Sequence, residues 1–317
     1  MPEGHSVHRI ARQFSLHFVG KRITASSPQG RFAAGAAEID GHVMTGAKAV
    51  GKQMFLEFDN GLTLRVHLGM YGAWDFAGDF SSGAIPTGAG KPGEVLDSRG
   101  EDSLLSMGAP RVARMRMSEQ EHIEPDASTF PPDPVGAVRV RLLTDNTVAD
   151  LRGPTACEVL TPDAVQAVID KLGPDPLIDS GTAAEQRFVT AVRKSGTPIS
   201  LLLMDQSVVS GIGNVYRAEL LFRARLDPHK PGKDLPEETV RALWKDWTKL
   251  LKIGVQTGQM MTMDGLSKSK YAAALANRED RHWVYHRTGE PCRICGTPIV
   301  MELAASRKLY YCPKDQV

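Results

Sequence analysis

Val7, Ile10 and Phe14, joined by Ala11 and Phe18, recur at three- and four-residue spacing, which predicts an amphipathic helix over residues 5–18. The period then changes to two. Met54, Leu56 and Phe58 alternate with Gln53, Phe55 and Glu57, and Leu62, Leu64, Val66 and Leu68 alternate with Thr63, Arg65 and His67. Asn60-Gly61 between these runs marks a tight hairpin turn. Val138, Val140 and Leu142, alternating with Arg139 and Arg141, predict a further strand. The first half therefore reads as a strand-rich domain with one leading helix. From about residue 183 the pattern turns helical: Phe188, Val189 and Val192 predict one helix and Ile199–Met204 a second. The run Val240, Leu243, Trp244, Trp247, Leu250 and Leu251 predicts a strongly amphipathic third helix from Pro236 onward. The polar stretch 256–281 reads as a mobile loop, and the last 34 residues as a small strand hairpin around three cysteines.

One segment breaks the pattern. Residues 75–135 are rich in Gly, Pro and Ser and read as a long, partly disordered surface loop, with one strand at Ala113–Met117. Charge sets the same segment apart. The chain of 317 residues has a net charge of only +1, but residues 75–135 carry eleven Asp or Glu against five Lys or Arg. That insert is therefore −6 and the remainder +7, a basic body suited to a polyanion with an acidic insertion. A hydrophobic content of 42% with 24% charged residues is that of a soluble two-domain protein. No apolar run has transmembrane length, and the start lacks a secretory pattern, so a cytosolic protein is expected. Four cysteines, Cys157, Cys292, Cys295 and Cys312, fit a reducing compartment. Cys157 reads as a buried structural thiol.

Three stretches carry chemistry. The chain begins Met1-Pro2-Glu3, and a small second residue lets the initiator Met be removed, which frees the secondary amine of Pro2. An N-terminal amine titrates at about 7.7–8.0 and is partly an unprotonated nucleophile near neutral pH. Its attack on a sugar C1′ gives a cationic iminium that draws electrons, and Glu3 stands one residue away to supply a proton. Taken alone, such a start is an ordinary frayed terminus. Gly211-Ile212-Gly213-Asn214-Val215-Tyr216-Arg217-Ala218-Glu219 places a tight turn before a helix, where a helix N-terminus suits a phosphate; a plain interhelical turn is the alternative. Cys292-x2-Cys295 and Cys312, with sixteen residues between Cys295 and Cys312, have zinc-ribbon spacing.

Five motifs in one order resemble the formamidopyrimidine-DNA glycosylase and endonuclease VIII family. They are Met1-Pro2-Glu3-Gly4, Gly51-Lys52, Leu172-Gly173-Pro174-Asp175-Pro176-Leu177, Met204-Asp205-Gln206 with Gly211–Glu219, and Val284-Tyr285-His286-Arg287 through Gly289-Glu290-Pro291-Cys292. The resemblance implies an α+β multidomain fold: an N-terminal two-layer β-sandwich with a leading helix, then a helix–two-turn–helix domain ending in a zinc-finger-like β-hairpin. It implies that Pro2 forms the Schiff base, Glu3 is the general acid, and Lys52 grips phosphates and assists β-elimination. Arg307 at the hairpin tip assists δ-elimination. Lys171, where relatives often have arginine, and Asn214 contact DNA phosphates, with Arg217 of the same stretch counted among the DNA-binding residues. His67-Leu68-Gly69-Met70-Tyr71-Gly72 resembles the loop that fills the void left by an extruded base, with Met70 and Tyr71 as the wedge. The chain departs from the family at Gly69, where endonuclease VIII relatives have glutamine. It departs also at His5-Ser6, where Pro-Glu is usual, and at Asp315, where a fourth cysteine is expected. One Zn2+ is thus expected on Cys292, Cys295 and Cys312, with Asp315 or water as the fourth ligand; a metal-free hairpin is the alternative.

These implications predict domains at 1–150 (with the acidic insertion 75–135), 183–283 and 284–317, with a connector at 151–182. They predict a monomeric, cytoplasmic, nucleoid-associated DNA glycosylase and AP lyase with no membrane association. Gly4, the Met70-Tyr71 loop and the Arg307–Tyr311 tip favour oxidised pyrimidines as substrates. Two alternatives stay open: a non-catalytic binder of damaged or single-stranded DNA, and a purine-specific glycosylase of the same family.

Overall fold

The computed structural model describes residues 2–80, 103, 105–109, 130–179 and 181–317. The chain forms two compact units, Met1–Asp170 and Lys171–Val317. The first contains the strands expected from the period-two pattern and several that the pattern does not show. Helix α1 (Gly4–His17) buries Val7, Ile10, Ala11 and Phe14, the residues whose spacing predicted it. Phe14 sits edge-on to Trp74 at 4.8 Å and to Phe76 at 5.5 Å between ring centroids, which fixes the helix on the sheet.

One antiparallel sheet has four strands in the order β2 (Met44–Val50), β3 (Gln53–Phe58), β4 (Thr63–His67) and β9 (Ala156–Leu160). The second has five, ordered β1 (Thr24–Ser26), β7 (Val138–Leu143), β8 (Thr147–Arg152), β5 (Ala73–Gly78) and β6 (Ser106–Gly108). Met54, Leu56, Leu64 and Val66 of the first sheet share one core with Trp74, Phe76, Val140, Leu142 and Leu151 of the second. That shared core makes the unit a two-layer sandwich. The unit also contains the short helix α2 (Ala33–Ile39) and, at its end, α3 (Pro162–Ile169). The 151–182 stretch expected as a connector therefore begins inside β8 and supplies β9 and α3 to this unit.

The expected surface loop also begins inside a strand. Residues 75–78 belong to β5, and Ser106–Gly108 returns to pair with it, Trp74 opposite Met107. Met107 and Ser103 are buried, and the Ser103 hydroxyl accepts from the backbone N–H groups of Leu105 and Ser106. The strand predicted at Ala113–Met117 lies outside the described residues.

The second unit contains α4 (Thr182–Arg193), α5 (Ile199–Leu202), α6 (Asn214–Arg223), α7 (Glu237–Thr257) and α8 (Lys268–Ala276), then the hairpin β10 (Val300–Ala304) and β11 (Arg307–Tyr311). Its core joins Phe188, Val192, Val215 and Tyr216 to Leu243, Trp244, Trp247 and Leu250 of α7. Helix α8 corrects the expected mobile loop at 256–281. The sequence hides it because only Ala274 and Leu275 of the helix are buried. Tertiary braces make it instead: Ser267 caps its start by accepting from the Lys270 N–H, and buried Arg281 donates to the carbonyls of Ala274 and Leu275 at its end.

Candidate functional site

In the first unit, Pro2 and Glu3 are both buried, and Glu3 is the N-cap residue of α1. The Glu3 carbonyl accepts from the Ser6 N–H at 3.0 Å, so the first turn of α1 fixes the backbone that carries the pair. His5 follows, with Nε2 at 3.2 Å from the Ser6 hydroxyl. Burial above all, then Arg9, the amino terminus and His8, pull the His5 imidazole down to about 3. His5 is thus neutral at working pH, so this departure from Pro-Glu removes a charge from the first turn and adds none.

Lys52 is half-buried in the two-residue connection between β2 and β3, closed by the Val50–Gln53 pair. His67 is paired with Gln53, and burial together with the charges of Lys52 and Arg65 lowers its imidazole. The structure therefore brings Lys52 beside the strand end that opens the Gly69–Gly72 loop. In that loop the Gly72 N–H returns to the Leu68 carbonyl at 3.0 Å. The turn leaves Met70 and Tyr71 46% and 56% exposed, although Leu68 before them is buried. Gly69 has φ +65, and a Cβ there would lie 1.8 Å from the Thr155 hydroxyl oxygen. Two independent constraints thus require glycine where relatives have glutamine.

In the second unit the helix–two-turn–helix is α5, a connection over residues 203–213, and α6. Gln206 holds the connection: its Nε2 donates to the carbonyls of Met204 and Ile212, and its Oε1 accepts from the Gly211 N–H. The Leu172–Leu177 stretch packs on the same loop. Gly173 donates to the Gln206 carbonyl at 2.7 Å, and a Cβ on Gly173 would meet the Val208 backbone at 2.4 Å. Lys171 is exposed.

Asn214 and Arg217, one turn apart on α6, both donate to the Lys308 carbonyl at 2.9 Å, and Arg217 also donates to Asn214 Oδ1. Both side chains are buried, Arg217 at 1% exposure. The structure thus gathers Asn214, Arg217 and the tip of the hairpin. Arg307 is exposed at that tip, next to the turn residues Ala305 and Ser306, which both have positive φ. Glu219, which the sequence argument used only as the end of a motif, fixes the approach to the hairpin. Fully buried, its carboxylate accepts from the N–H groups of Trp283, Val284 and Tyr285 and from the Thr262 hydroxyl.

Cys292, Cys295, Cys312 and Asp315 offer donor atoms that all lie within 4.8 Å of one another. Zinc bonds of about 2.0 Å to oxygen and 2.3 Å to sulfur place neighbouring tetrahedral donors roughly 3.3–3.8 Å apart. The observed separations are 3.0 Å for Cys292 Sγ to Asp315 Oδ2, 3.5 Å for Cys295 Sγ to Cys312 Sγ and 3.6 Å for Cys312 Sγ to Asp315 Oδ2. Backbone N–H groups of Ile294 and Asp315 point at the sulfurs of Cys292 and Cys312, at 3.5 and 3.4 Å. Burial, then the Asp315 carboxylate, push the Cys292 thiol up to about 12. Three sulfurs and a carboxylate gathered at these separations are a donor set that fits one structural zinc. Cys157 lies apart on β9, half-buried, and burial pushes its thiol up to about 12 also.

Residues 1–147 match the formamidopyrimidine-DNA glycosylase N-terminal domain, 172–265 the formamidopyrimidine-DNA glycosylase H2TH domain, and 289–317 the zinc finger found in FPG and IleRS. The chain is 37% identical to Endonuclease 8 1 of Mycobacterium tuberculosis over 316 residues, covering all of both chains. It is 36% identical over 146 residues to formamidopyrimidine-DNA glycosylase of Thermus thermophilus, covering 46% of this chain and 54% of that one. Among solved structures, the Lactococcus lactis FPG protein superposes with a TM-score of 0.70 at 21% identity over 99% of both chains. The Thermus thermophilus FPG protein gives 0.66 at 23% identity, over 99% of this chain and 98% of that one. Sandwich, two-turn connection and cysteine hairpin are together the architecture of a base-excision-repair DNA glycosylase that also has AP lyase activity. The chain belongs to the formamidopyrimidine-DNA glycosylase and endonuclease VIII family. Among the described residues, no helix is long and apolar enough to cross a membrane.

Proposed function

We propose that this glycosylase excises oxidised pyrimidines from DNA with Pro2 as nucleophile. The observation that carries the reading is the placement of Pro2-Glu3 at the first turn of α1, supported by full-length similarity to an endonuclease 8. Removal of Met1 exposes the Pro2 amine, and the positive end of the helix dipole disfavours its protonated form. The nitrogen lone pair attacks C1′ as the C1′–base bond breaks, and Glu3 assists by protonating the opening sugar. The resulting iminium acidifies the C2′ proton. Its loss breaks the bond from C3′ to its phosphate oxygen, loss of the C4′ proton then breaks the bond from C5′ to its phosphate oxygen, and water hydrolyses the iminium to return the amine and free the sugar aldehyde.

Lys52 and exposed Arg307 serve the two eliminations, and Lys171 a flanking phosphate. Met70 and Tyr71 fill the space left by the extruded base. Gly69 belongs to this DNA-facing loop through its backbone alone. Asn214 and Arg217 act on DNA through the hairpin that they hold. The DNA substrate is bound by a monomer, and duplex is preferred to single strands because the wedge needs a stack to enter. Borohydride trapping on abasic DNA tests the nucleophile: a covalent adduct is expected, with its mass on the Pro2 peptide. Pro2→Gly keeps a terminal amine but should slow base release severely. Retained Met1 together with no adduct would sink the catalytic reading, and faster release of oxidised purines than of thymine glycol would reassign the substrate. Gel filtration with and without duplex tests the monomer.

A further inference from the structure

The fourth metal donor is the point at which this chain leaves the zinc finger of its family, and a second substitution of the usual chemistry lies against it. Helix α6 ends at Arg223, and the chain turns away through Arg225, whose φ of +54 is in the left-handed region that favours glycine at this position. A strained non-glycine residue there calls for a reason in the surroundings. The Arg225 guanidinium lies 4.8 Å from the Phe222 ring centroid and 3.5 Å from Asp315 Oδ2, the same oxygen that faces Cys292. The turn at Arg225 also carries the end of the chain. The Arg225 carbonyl accepts from the Val317 N–H, and Gln316 Nε2 donates to the Leu226 carbonyl while its Oε1 accepts from the Cys312 N–H. The C-terminal turn that contains Cys312 and Asp315 is thus wrapped on Arg225 and Leu226.

A thiolate presents one charged atom to a metal. A carboxylate has two oxygens, rotates between them and yields readily to water, so a carboxylate ligand needs an outer partner to hold it. We infer that Arg225 is the positioning residue of a three-thiolate, one-carboxylate zinc centre, its guanidinium holding the Asp315 carboxylate on the metal. Phe222 supports the guanidinium from below, and the guanidinium offsets part of the negative charge that three thiolates and a carboxylate leave around a dication. The inference rests on the reading of this cluster as a zinc site.

The test is a double-mutant cycle on the full-length protein: wild type, Arg225→Ala, Asp315→Cys and the double variant, with Arg225→Lys as a second probe. Zinc content is measured on the purified proteins, and zinc transfer to a colorimetric chelator is timed. Arg225→Ala should release zinc about tenfold faster than wild type. In the Asp315→Cys background the same change should have little effect, because a thiolate does not need the guanidinium. Arg225→Lys should fall between. Cobalt-loaded protein gives an independent readout, a thiolate-to-cobalt absorption that grows from wild type to Asp315→Cys as three sulfurs become four. Equal acceleration in both backgrounds, or none in wild type, overturns the role of Arg225 and leaves the zinc site standing. Zinc-free wild-type protein overturns the zinc reading and the role of Arg225 together.

Discussion

Arg217 Nη2 donates to the carbonyl of Lys308 at 2.9 Å from a side chain that is 1% exposed. A guanidinium in that position is turned toward the hairpin and holds the residue next to Arg307. Arg217→Met should therefore cost about 2–3 kcal/mol, the range for losing hydrogen bonds from a buried charged group. Its distinguishing effect is local: amide hydrogen exchange should speed up over Arg307–Tyr311 more than over α4. Exchange unchanged in the hairpin, with weakened DNA binding, would restore Arg217 to direct DNA contact.

Gly69 explains a departure that the sequence left open. With φ +65 and Thr155 in the place of a Cβ, Gly69→Gln should not recreate the missing contact of relatives. It should destabilise the first unit by about 1–3 kcal/mol and slow base excision by displacing Met70 and Tyr71. Thr155→Ala added to Gly69→Ala should recover part of the loss, since it removes the clash and leaves the backbone strain. A fully stable Gly69→Gln protein in urea titration would contradict both constraints.

What could be read from the sequence follows from range. Helix α1, the Gln53–His67 hairpin and α7 announce themselves because their apolar residues repeat within a few positions. The Pro2-Glu3 start, the two-turn motif and the cysteine spacing were visible for the same reason, as local strings. Strand β6 was not, since three residues have no period and acquire their structure from Ala73–Asp75, some thirty positions away. Helix α8 was missed because few of its residues are buried and Arg281, beyond it, braces its last carbonyls. The burial of Arg217 gave no signal either, because burial is not written in its neighbours. Arg225 and His229 gave no signal at all; each matters only through a partner on the C-terminal hairpin or the turn after it.

Residues 78–108 fall within the loop expected over 75–135, but the structure divides them. Met107 pairs across from Trp74 and is 4% exposed, and Ser103 is buried. A deletion of 78–108 removes both, along with Phe80, which packs on Phe18 and Phe76. It should unfold the first unit or lower its denaturant midpoint sharply. Met107→Ala alone should cost about 2–4 kcal/mol. Deletion of residues 81–102 only, with a short Gly-Ser join, should leave both midpoint and excision near wild type, because closure cost changes slowly with loop length. A severe loss from the shorter deletion would show that this segment contributes to the fold.

The turn at the hairpin tip stores strain that can be relieved. Ala305 and Ser306 have φ of +47 and +65, the two positive values of a type I′ turn, and neither residue favours them. Ala305→Asn with Ser306→Gly should stabilise the hairpin by about 1–2 kcal/mol. Arg307 would then be presented more rigidly, and the ratio of δ- to β-elimination products on abasic DNA should rise. Unchanged thermal stability of the zinc-loaded double variant would argue against strain at the tip.

His229 gives the hairpin a dependence on pH. Its Nδ1 lies 2.8 Å from Asp227 Oδ1 and its Nε2 2.6 Å from Glu302 Oε1 on β10, with the ring edge on Tyr311 of β11. Burial pulls the imidazole down, but the bonds to Glu302 and Asp227 outweigh it and raise His229 above its ordinary value. The charged form is therefore favoured by folding. Its contribution is fully present below about pH 6.5, the unfolded value, and is lost as pH rises through the raised folded value. The stability difference between wild type and His229→Gln should thus be largest in mild acid and shrink toward alkaline pH. Because all three side chains are substantially exposed, it should also shrink in high salt. Glu302→Gln should remove most of the pH dependence while keeping a neutral hydrogen bond. Denaturant midpoints of the three proteins across the neutral range decide it, and a difference that grows with pH would mean that His229 is neutral in the folded protein.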